Sequence, residues 1–133
     1  MSDKSSAHSG PVRSITLRRD QKGALKFNGQ RVGAATRNQK IEDDDGKMTS
    51  YEISARLFKT TGGKYVVGVE VYNQTDERYD SRDGAASDSL EDLVVKITHQ
   101  VHRHGAFVWL DGDILGELFE ETEIAHQFVE HID

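Results

Sequence analysis

The sequence predicts an α+β fold: an antiparallel sheet of about four or five strands built by residues 12–75, with two C-terminal helices, over 88–104 and 113–132, packed on one face. Three observations lead there. Apolar residues alternate with polar ones on both sides of a Gly-Gly pair, an Asn-Gly pair stands between two shorter apolar stretches, and apolar spacing becomes helical after residue 88.

Residues 1–11 read as a flexible tail, and "SITLRR" after it as a first strand. In "ALKFNGQRVGAA" the Asn28-Gly29 pair suits a tight type I′ turn, which sets Leu25 opposite Val32. "NQKIEDDDGKMTS", with clustered acids and Gly46, reads as a solvated loop. The register of the next hairpin follows from parity. In "YEISARLFKTTGGKYVVGVEVY" both apolar sets, Tyr51, Ile53, Ala55, Leu57 and Tyr65, Val67, Val69, Val71, occupy odd positions, so facing residues sum to an even number if the sets share a face. A two-residue Gly62-Gly63 loop gives an odd sum and sends one set to solvent. The three-residue loop Thr61-Gly62-Gly63 pairs Thr60 with Lys64, Leu57 with Val67 and Ala55 with Val69, with Gly63 in the left-handed position. "NQTDERYDSRDGAAS" then reads as a mobile linker from sheet to helices.

Asp88 or Ser89 opens the first helix, each with an acid three residues on, Glu91 or Asp92. Leu90, Leu93, Val94, Ile97 and Val101 form its stripe, and Gly105 ends it behind His102, Arg103 and His104. "AFVWL" is a short buried strand or turn. Asp113 is expected to cap a last helix whose Ile114, Leu118, Ala125, Phe128, Val129 and Ile132 face inward, so that Phe128→Ala costs about 3 to 5 kcal/mol. Its acids fall on the remaining face.

Charge is distributed unevenly along the 133 residues, whose net charge is −6. Residues 1–40 carry nine Lys or Arg against Asp3 and Asp20, whereas residues 104–133 carry eight acids and no Lys or Arg. The chain is basic first and acidic last, an arrangement suited to internal neutralisation, head-to-tail pairing or a charged partner. The absence of cysteine excludes disulfides, thiol nucleophiles and cysteine-ligated zinc, and makes a bacterial cytoplasm the default setting. No apolar run approaches the roughly 20 residues of a membrane span, and "MSDKSSAHSGPVR" lacks the apolar core of a signal peptide.

Site motifs mostly fail when tested. His99 and His102 stand three apart but have no further ligand tied to them by spacing, so no structural metal is expected. "DGDILGELFEET" puts Asp111, Asp113 and Gly116 at calcium-loop positions, yet Leu115 and Thr122 stand where oxygen ligands belong. "TGGKY" leads into a strand instead of a phosphate-cradling helix N-terminus. No serine stands in a nucleophile elbow, and no catalytic residue or cofactor is expected. Two charged regions remain. Glu117, Glu120, Glu121 and Glu123 are the candidate partner-binding surface, and Arg13, Arg18, Arg19, Lys22, Lys26 and Arg31 the candidate basic patch, with Phe27 its lone aromatic.

The hairpin "RLFKTTGGKYVV" and the end "EHID" resemble the EXLDI-type proteins, small uncharacterised bacterial proteins with a C-terminal E-x-L-D-I signature. Glu130, Ile132 and Asp133 would stand for the Glu, Leu and Asp of that signature. Ile replaces its Leu, and its final Ile is absent. The resemblance implies neither reaction nor ligand. The residues lead to a small non-enzymatic interaction or regulatory module, binding a protein with a basic surface, or a second copy of itself, through the acidic helix or an open sheet edge. One alternative is an acidic mimic of nucleic acid that occupies the basic groove of a nuclease or other DNA-binding protein, as in counter-defence. The other is nucleic-acid binding through the basic N-terminal region, against which the acidic remainder would repel phosphates.

Overall fold

The computed structural model describes residues 10–20, 22–99 and 105–128. Five strands, β1 (Arg13–Arg19), β2 (Lys22–Glu42), β3 (Met48–Thr60), β4 (Tyr65–Asn73) and β5 (Ser81–Ser87), pair antiparallel in chain order. Helices α1 (Leu90–Thr98) and α2 (Gly112–Leu118) follow, with a 3-10 turn at Gly105–Trp109 between them. Most of the tail expected over 1–11 lies outside the described residues.

The β3–β4 hairpin has the register that parity requires. Leu57 faces Val67 and Ala55 faces Val69. The loop is Thr61-Gly62-Gly63: the Thr60 N–H donates to the Lys64 carbonyl at 2.8 Å, and Gly63 takes φ +82°. Ile53, Ala55, Leu57, Val67, Val69 and Val71 are all buried, which places the odd positions on one face.

The expected Asn28-Gly29 turn is absent, because β2 runs straight through it for 21 residues. Leu25 pairs with Leu17 of β1, not with Val32, and Gly29 lies between Arg13 of β1 and Thr60 of β3. Pairing on both edges overrides the turn preference of the dipeptide. The solvated loop contracts likewise. Strand pairing extends to Glu42 and Met48, and the Asp43 side chain closes the turn by accepting from the Asp45 and Lys47 N–H groups.

A bulge at Val32 has a large consequence. Register shifts between Arg31 and Gly33, so the odd residues Leu25, Phe27 and Arg31 share a face with Phe58, whereas Gly33 and Ala35 share the opposite face with Leu57 and Ala55. One strand therefore serves both sides of the sheet. Its first half, with β1, folds over the second face, where Leu17 rests on Gly68; a Cβ at Gly68 would stand 2.9 Å from the Leu17 Cδ1. At the far side the Asp20 N–H donates to the Arg82 carbonyl at 3.0 Å, and the Arg82 N–H donates to Asp20 Oδ2 at 2.9 Å. The sheet is thus curled, with β1 brought to β5.

The expected linker over 73–87 is instead an ordered corner and the fifth strand. Asn73 Oδ1 accepts from the Thr75 and Asp76 N–H groups, and Asp80 Oδ1 accepts from the Asn73 N–H. These side-chain bonds bring the chain back along β4, where Val67 pairs with Ala85.

Ser89 caps α1, its hydroxyl accepting from the Asp92 N–H at 3.1 Å, and Leu90, Leu93 and Ile97 are buried as the stripe requires. The helix stops at Thr98, well before Gly105. The Thr98 hydroxyl donates to the Val94 carbonyl, and His99 turns to an extended backbone. Gly105, at φ +57°, opens the 3-10 turn instead, and Val101, His102, Arg103 and His104 lie outside the described residues. The first four residues of "AFVWL" fall within that turn, which buries Ala106 and Phe107, and Leu110 is buried just after it.

The long last helix is also corrected. Asp111, not Asp113, caps α2, accepting from the Ile114 N–H at 2.9 Å, and the helix lasts seven residues. Acids crowd its C-terminal end, where the helix dipole and their mutual repulsion oppose continuation. The Thr122 hydroxyl donates to the Phe119 carbonyl and turns the chain into a 3-10 segment, Ala125–Phe128. Phe128 is half-buried on Phe119, ring centroids 5.3 Å apart, and Val129 and Ile132 lie outside the described residues.

Both helices cover the odd face. Leu93, Ile97, Leu110, Ile114, Leu118 and Phe119 close over the β3 and β4 side chains. The second face holds a smaller cluster, Ile15, Leu17, Phe58 and Val66, supported by Leu25 and Phe27. Among the described residues no helix is long and apolar enough to cross a membrane.

Candidate functional site

Three charged constellations emerge from this frame, two expected from the sequence and one not. The first is the acidic turn after α2. Its rigidity begins with Gly33, since a Cβ there would lie 2.0 Å from the Leu118 carbonyl oxygen; the helix end rests directly on β2. Phe119 and Ile124 are buried on either side of the turn and pin it. Glu117 reaches across to Arg37, whose Nη1 donates to Glu117 Oε2 at 3.0 Å. Glu120, Glu121 and Glu123 are exposed. Of the four acids expected as a partner-binding surface, Glu120, Glu121 and Glu123 lie in this turn, and Glu117 lies in the last turn of α2, already engaged with a cation.

The basic residues are less uniform than their spacing suggests. Arg13, Arg18 and Lys26 are exposed on β1 and β2. Arg19 spends its Nε on the Gly23 carbonyl at 2.7 Å, and Lys22 pairs with buried Asp83 at 3.6 Å. Arg31 is half-buried beside Phe58, with no hydrogen-bond partner for its Nε. Arg19 and Lys22 are thus occupied within the fold, which leaves fewer of these cations for a ligand.

The third constellation was not foreseen. On the second face, beyond the Leu17 contact, Arg56 of β3 donates to Glu70 of β4 at 2.7 Å, and the Tyr72 hydroxyl donates to the other Glu70 oxygen. Arg56 and Glu70 are roughly a third and a quarter exposed, at 32% and 26%. The Arg56 guanidinium also lies 5.7 Å from the Phe58 ring centroid, a second restraint on its position. Arg82 of β5 stands directly across from Glu70. These residues, with Thr16, Leu17 and Arg18 of β1, line a notch of about 150 Å³. No spacing along the chain announces it, because its side chains come from four strands. One signal did exist: the derived β3–β4 register sets Ser54 opposite Glu70 and so makes Arg56 its diagonal neighbour.

Metal-binding motifs find no support in geometry. Among the described residues no group of three or more His, Asp or Glu is placed to hold an ion. His99 caps α1, and His102 lies outside the described residues. Asp111 and Asp113 belong to the start of α2.

Comparison with protein-family models, curated proteins and solved structures finds no match. The stretch "RLFKTTGGKYVV" that resembles the EXLDI-type proteins forms the β3–β4 hairpin, and Glu130, Ile132 and Asp133 lie outside the described residues.

Proposed function

We propose that this chain is a small non-enzymatic interaction or regulatory module of a bacterial cytoplasm, its phages or its plasmids, which meets a basic surface on a partner protein through Glu117, Glu120, Glu121 and Glu123. One observation carries the reading. Acids are concentrated at the C-terminal end of α2, where the helix dipole disfavours them, on a turn that buried Phe119 and Ile124 hold rigid. Glu117 has a local partner in Arg37, whereas Glu120 and Glu123 stand exposed beyond the helix end, where long-range attraction of a cationic surface accounts for them. The same compactness favours a patch over a nucleic-acid mimic, whose charges must follow the regular phosphate spacing of a duplex, with about 1.7 Å of axis per charge.

The test is capture from a native host with wild-type bait and with bait carrying Glu117→Gln, Glu120→Gln, Glu121→Gln and Glu123→Gln. The reading expects a partner with a basic surface, held by wild type more firmly at low salt than at high and lost with the neutral bait. An unchanged set of captured proteins at every ionic strength would contradict it.

A further inference from the structure

We propose that the notch between β1 and the β3–β5 strands is an oxyanion site that accepts one carboxylate or phosphate group. The notch is unbalanced in charge. Glu70 has its two oxygens engaged by Arg56 and Tyr72. Arg82 stands directly opposite Glu70 but forms no ion pair with it, and among the described residues its bonds are those of its backbone to Asp20. Arg18 also lies on the notch wall, and among the described residues no ion pair to it is seen. Asp83 is drawn away, accepting from the Gly84 N–H at 2.8 Å and pairing with Lys22. Three arginines thus line a notch whose second-face carboxylate, Glu70, is already engaged by Arg56 and Tyr72.

Guanidinium forks match planar or tetrahedral oxyanions through paired hydrogen bonds, and arginine is the side chain suited to such recognition. Arg56 is held in advance by Glu70 and the Phe58 ring, which lowers the cost of ordering it on binding. Glu70 and Tyr72 are positioning residues. Size narrows the ligand further: about 150 Å³ is well below the roughly 300–1,000 Å³ of pockets that enclose a whole small molecule. A single charged group fits, either free or at the end of something larger. The site lies on the second face, away from the acidic turn, and stands or falls independently of the proposed partner contact.

The experiment titrates inorganic phosphate and, separately, acetate into the full chain at constant ionic strength in chloride, following Arg side-chain and backbone amide NMR shifts. Saturable shifts at Arg56, Gly68 and Arg82 are expected with at least one of the two anions; phosphate alone identifies a phosphate site, acetate alone a carboxylate site. Arg82→Gln and Arg18→Gln should each weaken binding by 10-fold or more, Arg82→Lys less, and Lys26→Gln on the outer hairpin surface not at all. Circular dichroism checks that each variant is folded, and Arg18→Gln, exposed at the rim, serves if Arg82→Gln is not. Saturation by neither anion, or binding equally weakened by Lys26→Gln, overturns the proposal.

Discussion

The two faces of the curled sheet are made by alternate residues of the same strands, yet they are finished differently. Leu57 points to a face sealed by two helices and the turn between them; Phe58, its neighbour, points to a face that, among the described residues, β1 and half of β2 cover. The first face buries a continuous apolar layer. The second buries four residues fully and then opens into Arg56, Glu70, Tyr72 and Arg82. Burial of large aliphatic side chains, at about 1.5–3 kcal/mol each, is concentrated on the helical side. Partly buried charges are tolerated on the other because β1 lies against Gly68 and leaves a notch beside them. The curl separates the two: large apolar burial lies under the helices, while the partly buried charges lie at the notch on the other face.

The largest loss is expected at Gly33. Gly33→Val requires space already occupied by the Leu118 carbonyl, so α2 must leave β2 and the sealed face opens. A loss of about 4 kcal/mol or more is expected in denaturant unfolding. Next comes the neighbouring pair. Leu57→Ala should cost about 4 kcal/mol, because helices and sheet surround the cavity and cannot collapse into it. Phe58→Ala should cost about 2–3 kcal/mol despite the larger side chain, because its cluster borders solvent and can relax. Equal or inverted losses, measured side by side, would show that the second face is as tightly built as the first.

Phe128→Ala sharpens the boundary of the sealed face. Full burial in a long helix predicted about 3 to 5 kcal/mol, but Phe128 is a half-buried ring stacked on Phe119, and about 1–2 kcal/mol is expected. A smaller effect is expected at the β4–β5 corner. Arg78 donates to the Asp76 carboxyl through its side chain and backbone and holds it below its ordinary value. Any stabilisation from this exposed pair is present above the ordinary carboxylate range and is lost as pH falls through the depressed value. Acid titration of Asp76 by NMR checks the direction, and Arg78→Ala should return the midpoint upward.

Some of this architecture was legible and some was not, for physical reasons. The β3–β4 register follows from parity alone, because one buried face makes a one-residue slip intolerable. Ser89 was readable because capping is local. β5 was not: "SRDGAAS" has small and polar residues of weak strand preference, required because Leu25 and Arg19 lie over Gly84. The Asn28-Gly29 signal misled because partners on both edges kept β2 extended. Apolar spacing after Leu118 suggested a longer α2, but the acids at its end and the Thr122 turn halted it. The acidic turn was visible as composition, whereas the arginine notch required the curl to bring β1 onto β4, a long-range event with no local trace.

The central claim is that the charged surfaces are separable from the sealed core. The most direct test is thermal unfolding of the variant with Glu117, Glu120, Glu121 and Glu123 all changed to Gln, measured beside Leu57→Ala. Exposed charges contribute a few tenths of a kcal/mol each, so the charge-neutral variant should melt within about 4 °C of wild type while Leu57→Ala falls much further. A charge-neutral variant that unfolds as early as Leu57→Ala would show that the acids hold the fold together, and the separation of tasks would be wrong.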